Sequence, residues 1–238
     1  MTPASQAQDD PIRAYLELLR RRPELAATDE GGQPLCLDEA ELRAFQARTG
    51  KAMGLVYDNW NPVNHRSYYM LLSDLVQMEG HLQSYTRVVF PRAITGTVAL
   101  CRRQDGRFGL IRIFRHPLRG AGCLLEIPRG HLEVDLTPEE NCRREIQQEI
   151  HAQVLSLQEL GSTAADSGLI GGRARVYLAE VGGQPGVCPG YEGISSLVWM
   201  TMREIREAIG SGRITDGYTQ AAVALYLCRG GAADEAPE

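Results

Sequence analysis

GHLEVDLTPEENCRREIQQE, residues 130–149, is the stretch on which the reading of this chain turns. A loop led by Gly130 runs into a helix. Thr137 reads as its N-cap, Pro138 as its first helical residue and Glu140 as the partner in a capping box. Cys142, Ile146 and Ile150 recur four apart and form a core face, so the acidic face points elsewhere. Glu145 and Glu149 stand at i and i+4, which projects both carboxylates from one side of the helix. Two like charges that close repel each other unless a cation sits between them, and a hard divalent metal such as Mg²⁺ supplies one. On the helix alone, a solvated face with a stray carboxylate pair is the better reading. His151 falls where a helix end usually has a left-handed glycine, so it either tolerates strain or lets the helix run on.

The 238 residues are enough for one large or two small domains. With 43% hydrophobic and 23% charged residues, the composition is that of an ordinary globular protein. A net charge of -5 gives no electrostatic footprint for nucleic acid or an anionic membrane. No apolar run approaches a membrane span, and the opening MTPASQAQDD is polar rather than signal-like. The expectation is a cytoplasmic protein without nucleic-acid or membrane partners. Six cysteines (36, 101, 123, 142, 188 and 228) are scattered without CxxC spacing and read as buried thiols rather than a disulfide framework or zinc site.

Outward from the motif, the chain divides by texture. Residues 1–10 and 230–238 read as disordered ends. Residues 11–53 read as a helical extension: PIRAYLELLRRRP sets Ile12, Tyr15, Leu16 and Leu19 on one stripe that Pro23 stops, and Asp38 with Glu41 forms a capping box for a second helix. Residues 54–92 read as an antiparallel sheet subdomain, with GLVYDN, YYMLLSDLVQM and HLQSYTRVVF as strands and Glu79-Gly80 as a hairpin turn. Residues 93–229 alternate. TGTVALC and FGLIRIF flank Asp105-Gly106, CLLEI is a short buried strand, and VLSLQEL, RARVYLAEV and ISSLVWM are strand candidates after the motif helix. Thr201 and Glu204 cap a further helix, and TDGYTQAAVALYLCR makes the last one. Strands in the middle, with helices between and after them, imply an α+β sandwich.

The motif resembles that of the Nudix hydrolase superfamily: a Gly, five residues, Glu, seven residues, Arg-Glu, an aliphatic residue, one residue, Glu-Glu, one residue, Gly and an aliphatic residue. Gly130, Arg144, Glu145, Ile146 and Glu149 match at the right spacing. Leu136 stands for the first Glu, Gln148 for the first of the Glu-Glu pair, and His151 for the closing Gly, so the box is degenerate. The flanks LIRIFRHPLRGAGCLLEIPRG, YEGISSLVWMTMREI, GRITDGYTQAAVALYL and GLVYDN to VVFP resemble, in order, the ADP-ribose pyrophosphatase branch. The resemblance implies a Nudix α/β/α sandwich with an N-terminal antiparallel sheet; the helical segment before it has no counterpart in that pattern. Where that branch commonly has Pro-Gly about sixteen residues after the box, this chain reads Ser167-Gly168.

Pyrophosphate hydrolysis needs charge neutralisation and an activated water, which Mg²⁺ or Mn²⁺ supplies. Glu145 and Glu149 are the candidate metal carboxylates; Gln148 is a neutral, weaker ligand through its amide oxygen, and the resemblance adds the backbone carbonyl of Arg129. It also implies that Arg144 holds the loop and glutamates, that Arg115 meets substrate phosphates, and that Glu126 faces the site. A buried strand Glu without a partner is costly, which favours a function for Glu126. Gly130 and Gly168 are placed with the substrate loops. Glu192, between Gly190 and Gly193 in a loop suited to closure, corresponds to the branch's general base. Tyr68 and Tyr69 are candidates to stack on an adenine from a partner subunit. The expected activity is Mg²⁺-dependent cleavage of ADP-ribose or an NDP-sugar to a nucleoside monophosphate and a phosphorylated product, by a homodimer that exchanges its N-terminal sheets. The alternative is a hydrolysis-deficient Nudix module that binds a nucleotide as a sensor.

Overall fold

Alternation along the strands places the core on both faces of a sheet. In β4 (Phe108–Phe114), Ile111 and Ile113 join one apolar cluster while Phe108 and Leu110 join another. A computed structural model describes residues 10–28, 32–61, 63, 66–118, 120, 122–133, 135–187 and 191–231. The expected disordered ends lie outside these residues, except Asp10, Gly230 and Gly231. The chain forms two compact units, Met1–Ala93 with Asp166–Gly172, and Ile94–Ala165 with Arg173–Glu238.

In the first unit, α1 (Pro11–Arg21) and α2 (Glu39–Thr49) pack with the antiparallel strands β1 (Gly54–Asn61), β2 (Arg66–Met78) and the start of β3 (His81–Arg103). Ile12, Tyr15, Leu16 and Leu19 are buried with Leu42, Phe45, Leu72 and Leu75 in one cluster, so helices and sheet share a core. The Asp10 and Asp38 side chains accept the capping N–H bonds of Arg13 and Glu41. Gly54 opens β1 with φ +91°, and a Cβ there would stand 2.5 Å from the Pro11 carbonyl oxygen. Beneath the helices, Tyr15 donates to Asp74 at 2.7 Å, and Arg87 reaches Asp74 at 2.5 Å and the Leu25 carbonyl at 2.7 Å. Glu79 and Gly80, both at positive φ, make the two-residue turn from Met78 to His81.

The structure differs from expectation at β3. Two separate strands were expected from the sequence, but a single strand runs through Pro91. Residues up to Val89 pair with β2, and residues from Gly96 pair with other strands. Pro91 lies between these two ladders, where its missing N–H leaves neither ladder short of a donor.

The second unit contains the rest of β3, β4, β5 (Cys123–Glu126), β6 (Arg129–His131), α3 (Pro138–Ile150), β7 (Gln153–Thr163), most of β8 (Ile170–Gly182), β9 (Ile194–Met200), α4 (Met202–Gly210) and α5 (Gly217–Cys228). β4 lies between β5 and β9, and the Asp105-Gly106 turn joins it to β3 as expected. On one face, Cys142, Ile146 and Ile150 of α3 pack on Ala99, Ile111 and Tyr177. On the other, Ile205 of α4 and Val223 of α5 pack on Leu100, Leu110 and Val176. This is an open sheet between helical layers, the expected α+β sandwich.

Two further expectations change here. The loop led by Gly130 is itself a strand: β6 pairs with Gly96–Val98 of β3, which anchors the entry to α3. Of the cysteines, Cys101 and Cys142 are buried and Cys36 is half-buried. Cys123 and Cys228, at the ends of β5 and α5, are exposed; Cys188 is outside the described residues. Among the described residues, no helix is long and apolar enough to cross a membrane.

Candidate active site

The helix that carries the acidic pair is fixed at both ends. Thr137 and Glu140 form the reciprocal capping box, with Pro138 in the first turn. At the other end His151 adopts φ 50°, ψ 27°, so it takes the left-handed cap itself and the helix stops there. The entry loop is tied to this helix by Asn141, fully buried, which donates to Thr97 at 3.0 Å and accepts from the Glu133 N–H at 3.1 Å. Arg144 pairs with Glu133 in the same loop.

The acidic face does not point wholly away from the core. Glu149 is 2% exposed and accepts the Arg129 backbone N–H at 3.0 Å. Glu145, half-buried, lies against Gly130, where a Cβ would overlap the Glu145 carboxylate. Glycine at 130 is thus required by the space the carboxylate occupies, more than by its own torsions. Burial raises the Glu145 carboxyl to about 7, helped by the charges of Glu192 and Glu133 and opposed by Arg144. Burial also raises Glu149 to about 8; the Arg129 N–H and Arg115 oppose the shift, while Glu145 and Glu192 add to it.

Beside the pair stands a second cluster. Glu126, 1% exposed, receives Arg115 at 2.7 Å and 3.0 Å and Arg129 at 3.0 Å and 3.2 Å. Its burial is therefore satisfied by two guanidinium groups, and burial alone does not make it a metal or substrate ligand. Arg129 also lies 3.5 Å from Asp216 and over the Tyr218 ring, 4.8 Å from its centroid. Asp216 caps α5 through the Thr219 N–H and hydroxyl, and Thr219 accepts the Ile127 N–H at 3.1 Å. The start of α5 thus clamps the segment that leads into β6.

Glu192 is exposed and held at φ 47°, a left-handed conformation that a non-glycine residue adopts at a cost. Its charge reaches both Glu145 and Glu149. Gln148 is half-buried on α3. Gly168 belongs to the first unit, where its N–H donates to Asp166 and its carbonyl accepts from Tyr85. The second unit therefore brings together Arg115, Glu126, Arg129, Gly130, Glu145, Glu149 and Glu192. Sequence reading missed Asn141, Asp216, Tyr218 and Thr219. The Asp-x-x-Thr spacing at the start of α5 signals a cap, but nothing local signals what the cap holds.

Among the described residues, no group of three or more His, Cys, Asp or Glu side chains converges as a ready metal cage. The donor chemistry nevertheless fits a hard cation: two neighbouring carboxylates whose charged forms are disfavoured by burial and by one another.

A family model, the NUDIX domain, matches residues 91–218, more than half of the chain. The chain belongs to the NUDIX family. The match runs from within β3 to the first turn of α5 and includes Arg115, Glu126, Arg129, Glu145, Glu149, Glu192, Asp216 and Tyr218. Among similar proteins are the GDP-mannose pyrophosphatases of Yersinia pestis (strain Pestoides F) and Yersinia pseudotuberculosis serotype O:1b (strain IP 31758). Each is 28% identical over 175 residues, covering 69% of this chain and 84% of the relative.

Proposed function

We propose that this Nudix protein is a Mg²⁺-dependent pyrophosphohydrolase. It cleaves an NDP-sugar or ADP-ribose-type substrate to a nucleoside monophosphate and a phosphorylated remainder. The observation that carries this reading is the Glu145–Glu149 pair, one carboxylate half-buried and the other buried, beside an arginine cluster. It sets a cation-demanding face next to groups suited to phosphate. The named relatives put GDP-mannose beside ADP-ribose at the head of the candidate substrates.

Glu145 and Glu149, with Gln148 and the Arg129 carbonyl, would hold the metal. When bound, Mg²⁺ supplies positive charge against the phosphate oxygens and makes an attacking water more acidic. Arg115 binds a substrate phosphate, and Glu126 orients its guanidinium. Glu192 takes the proton of the attacking water as oxygen attacks phosphorus and the bridging P–O bond breaks. Arg144 and Asn141 keep the loop that presents Gly130 in place. A homodimer is part of the proposal. It draws support from the exposed Val56, Tyr57 and Tyr68 of the first unit, and sedimentation at several concentrations tests it.

Incubating the protein with GDP-mannose, ADP-ribose and UDP-glucose, with Mg²⁺, Mn²⁺ or EDTA, tests the reading through monophosphate release. Release that requires the divalent cation is expected. Tight binding of a substrate without turnover would favour instead the sensor reading, to which Gln148 in place of a carboxylate lends support.

A further inference from the structure

Arg115 and Arg129 share one acceptor. Both guanidinium groups bond Oε2 of Glu126, at 2.7 Å and 3.0 Å through their Nη2 atoms, so those two nitrogens lie less than about 6 Å apart. Each arginine spends Nε and Nη2 on carboxylates, Arg129 adding Asp216 at 3.5 Å. Among the described residues, neither Nη1 has a hydrogen-bond partner, which leaves two N–H donors on each group. The side chains are 27% and 23% exposed while Glu126 beneath them is 1% exposed. Two guanidinium groups pinned from below by one buried carboxylate, with donors left over, make a receptor for an anion with several oxygens. Neutralising Glu126 alone would need only one arginine. The second is held with extra care: the Tyr218 ring lies against it and the Asp216 cap beside it.

We infer that the side chain of Arg129 is a second phosphate-binding group, which with Arg115 clamps both phosphates of the substrate's diphosphate, and that Tyr218 and Asp216 are its positioning residues. This rests on the pyrophosphohydrolase reading and adds to it the recognition of a diphosphate as a unit. A nucleoside monophosphate product offers one phosphate to the same two arginines. The clamp therefore favours substrate over that product.

The test uses the full chain and the variants Arg129→Gln, Arg129→Lys and Tyr218→Leu. KM and kcat are measured on the best nucleoside diphosphate sugar, and calorimetry follows ADP and AMP with Mg²⁺. Losing charge-assisted bonds of this kind corresponds to about tenfold to a hundredfold in affinity. Arg129→Gln is expected to raise KM and the ADP dissociation constant by about tenfold or more, with a smaller change for AMP and in kcat. Arg129→Lys recovers part of the loss, and Tyr218→Leu gives a smaller change in the same direction. Mn²⁺ affinity without nucleotide stays unchanged, because the main-chain N–H that Glu149 accepts remains. Arg129→Gln that melts lower but keeps its KM and ADP affinity would reduce Arg129 to a structural counter-ion and overturn the inference. A parallel fall in Mn²⁺ affinity would overturn it too, by assigning Arg129 to the acidic pair. Failure of the parent reading looks different: wild type releases no monophosphate, yet its ADP binding still depends on Arg129.

Discussion

Asp74 in the first unit and Glu149 in the second are equally buried, each 2% exposed, and their surroundings are opposite. Asp74 accepts from the Tyr15 hydroxyl and from two nitrogens of Arg87, so its charge is answered within the fold. Glu149 accepts one backbone N–H and has a second carboxylate, Glu145, as neighbour. Burying a carboxylate costs several kcal/mol unless it is paired. The first unit meets that cost with its own residues. The second leaves it standing at one place, and an unmet electrostatic demand inside a stable fold marks a site built for something that arrives later.

Four experiments can break or sharpen this contrast. Glu149→Gln is expected to cut turnover by roughly a hundredfold or more, while the metal-free variant melts at or above the wild-type temperature because a charge is no longer forced into the interior. A lower melting temperature together with retained turnover would place Glu149 with Asp74, as structural. Arg87→Met should do the reverse. Stranding Asp74 is expected to cost about 3 kcal/mol in urea denaturation, with turnover per folded molecule kept.

The pH dependence gives a third, subtler difference. Glu145 and Glu149 titrate at about 7 and about 8 in the folded chain, against an ordinary 4.5. The folded state therefore holds protons that the unfolded chain releases, and stability falls as pH rises from about 4.5 to about 8. Melting curves of the metal-free protein should show that slope, and Mg²⁺ should stabilise more at pH 8 than at pH 5. A flat profile would remove the contrast. The smallest effect is at the end of α3. His151→Gly relieves a left-handed backbone and is expected to add about 0.5–1 kcal/mol to stability without changing metal affinity.

What the sequence made legible was what neighbouring residues encode. The caps at Thr137 and Thr201, the Asp105-Gly106 hairpin and the Cys142–Ile146–Ile150 stripe each follow from short-range spacing, and all are present. The i, i+4 carboxylates were visible for the same reason. Partners far apart in the chain were hidden. That Glu126 is answered by Arg115 and Arg129, and that Thr219 takes the Ile127 N–H across 92 positions, depends on how strands and helices meet. The strands HLQSYTRVVF and TGTVALC read as separate in sequence, whereas the change of ladder on either side of Pro91 joins them in one β3.

The clamp of α5 on the Ile127–Arg129 segment also orders events in time. During synthesis the chain emerges from its N-terminal end. The acidic helix, Pro138–Ile150, is therefore available well before Asp216, Tyr218 and Thr219. A nascent chain can possess Glu145 and Glu149 and still lack the hold on Arg129. The hold on Arg129 is thus deferred to a segment made after the acidic helix, and under the proposed reading a chain that stalls before α5 carries the carboxylate pair without the positioned arginine.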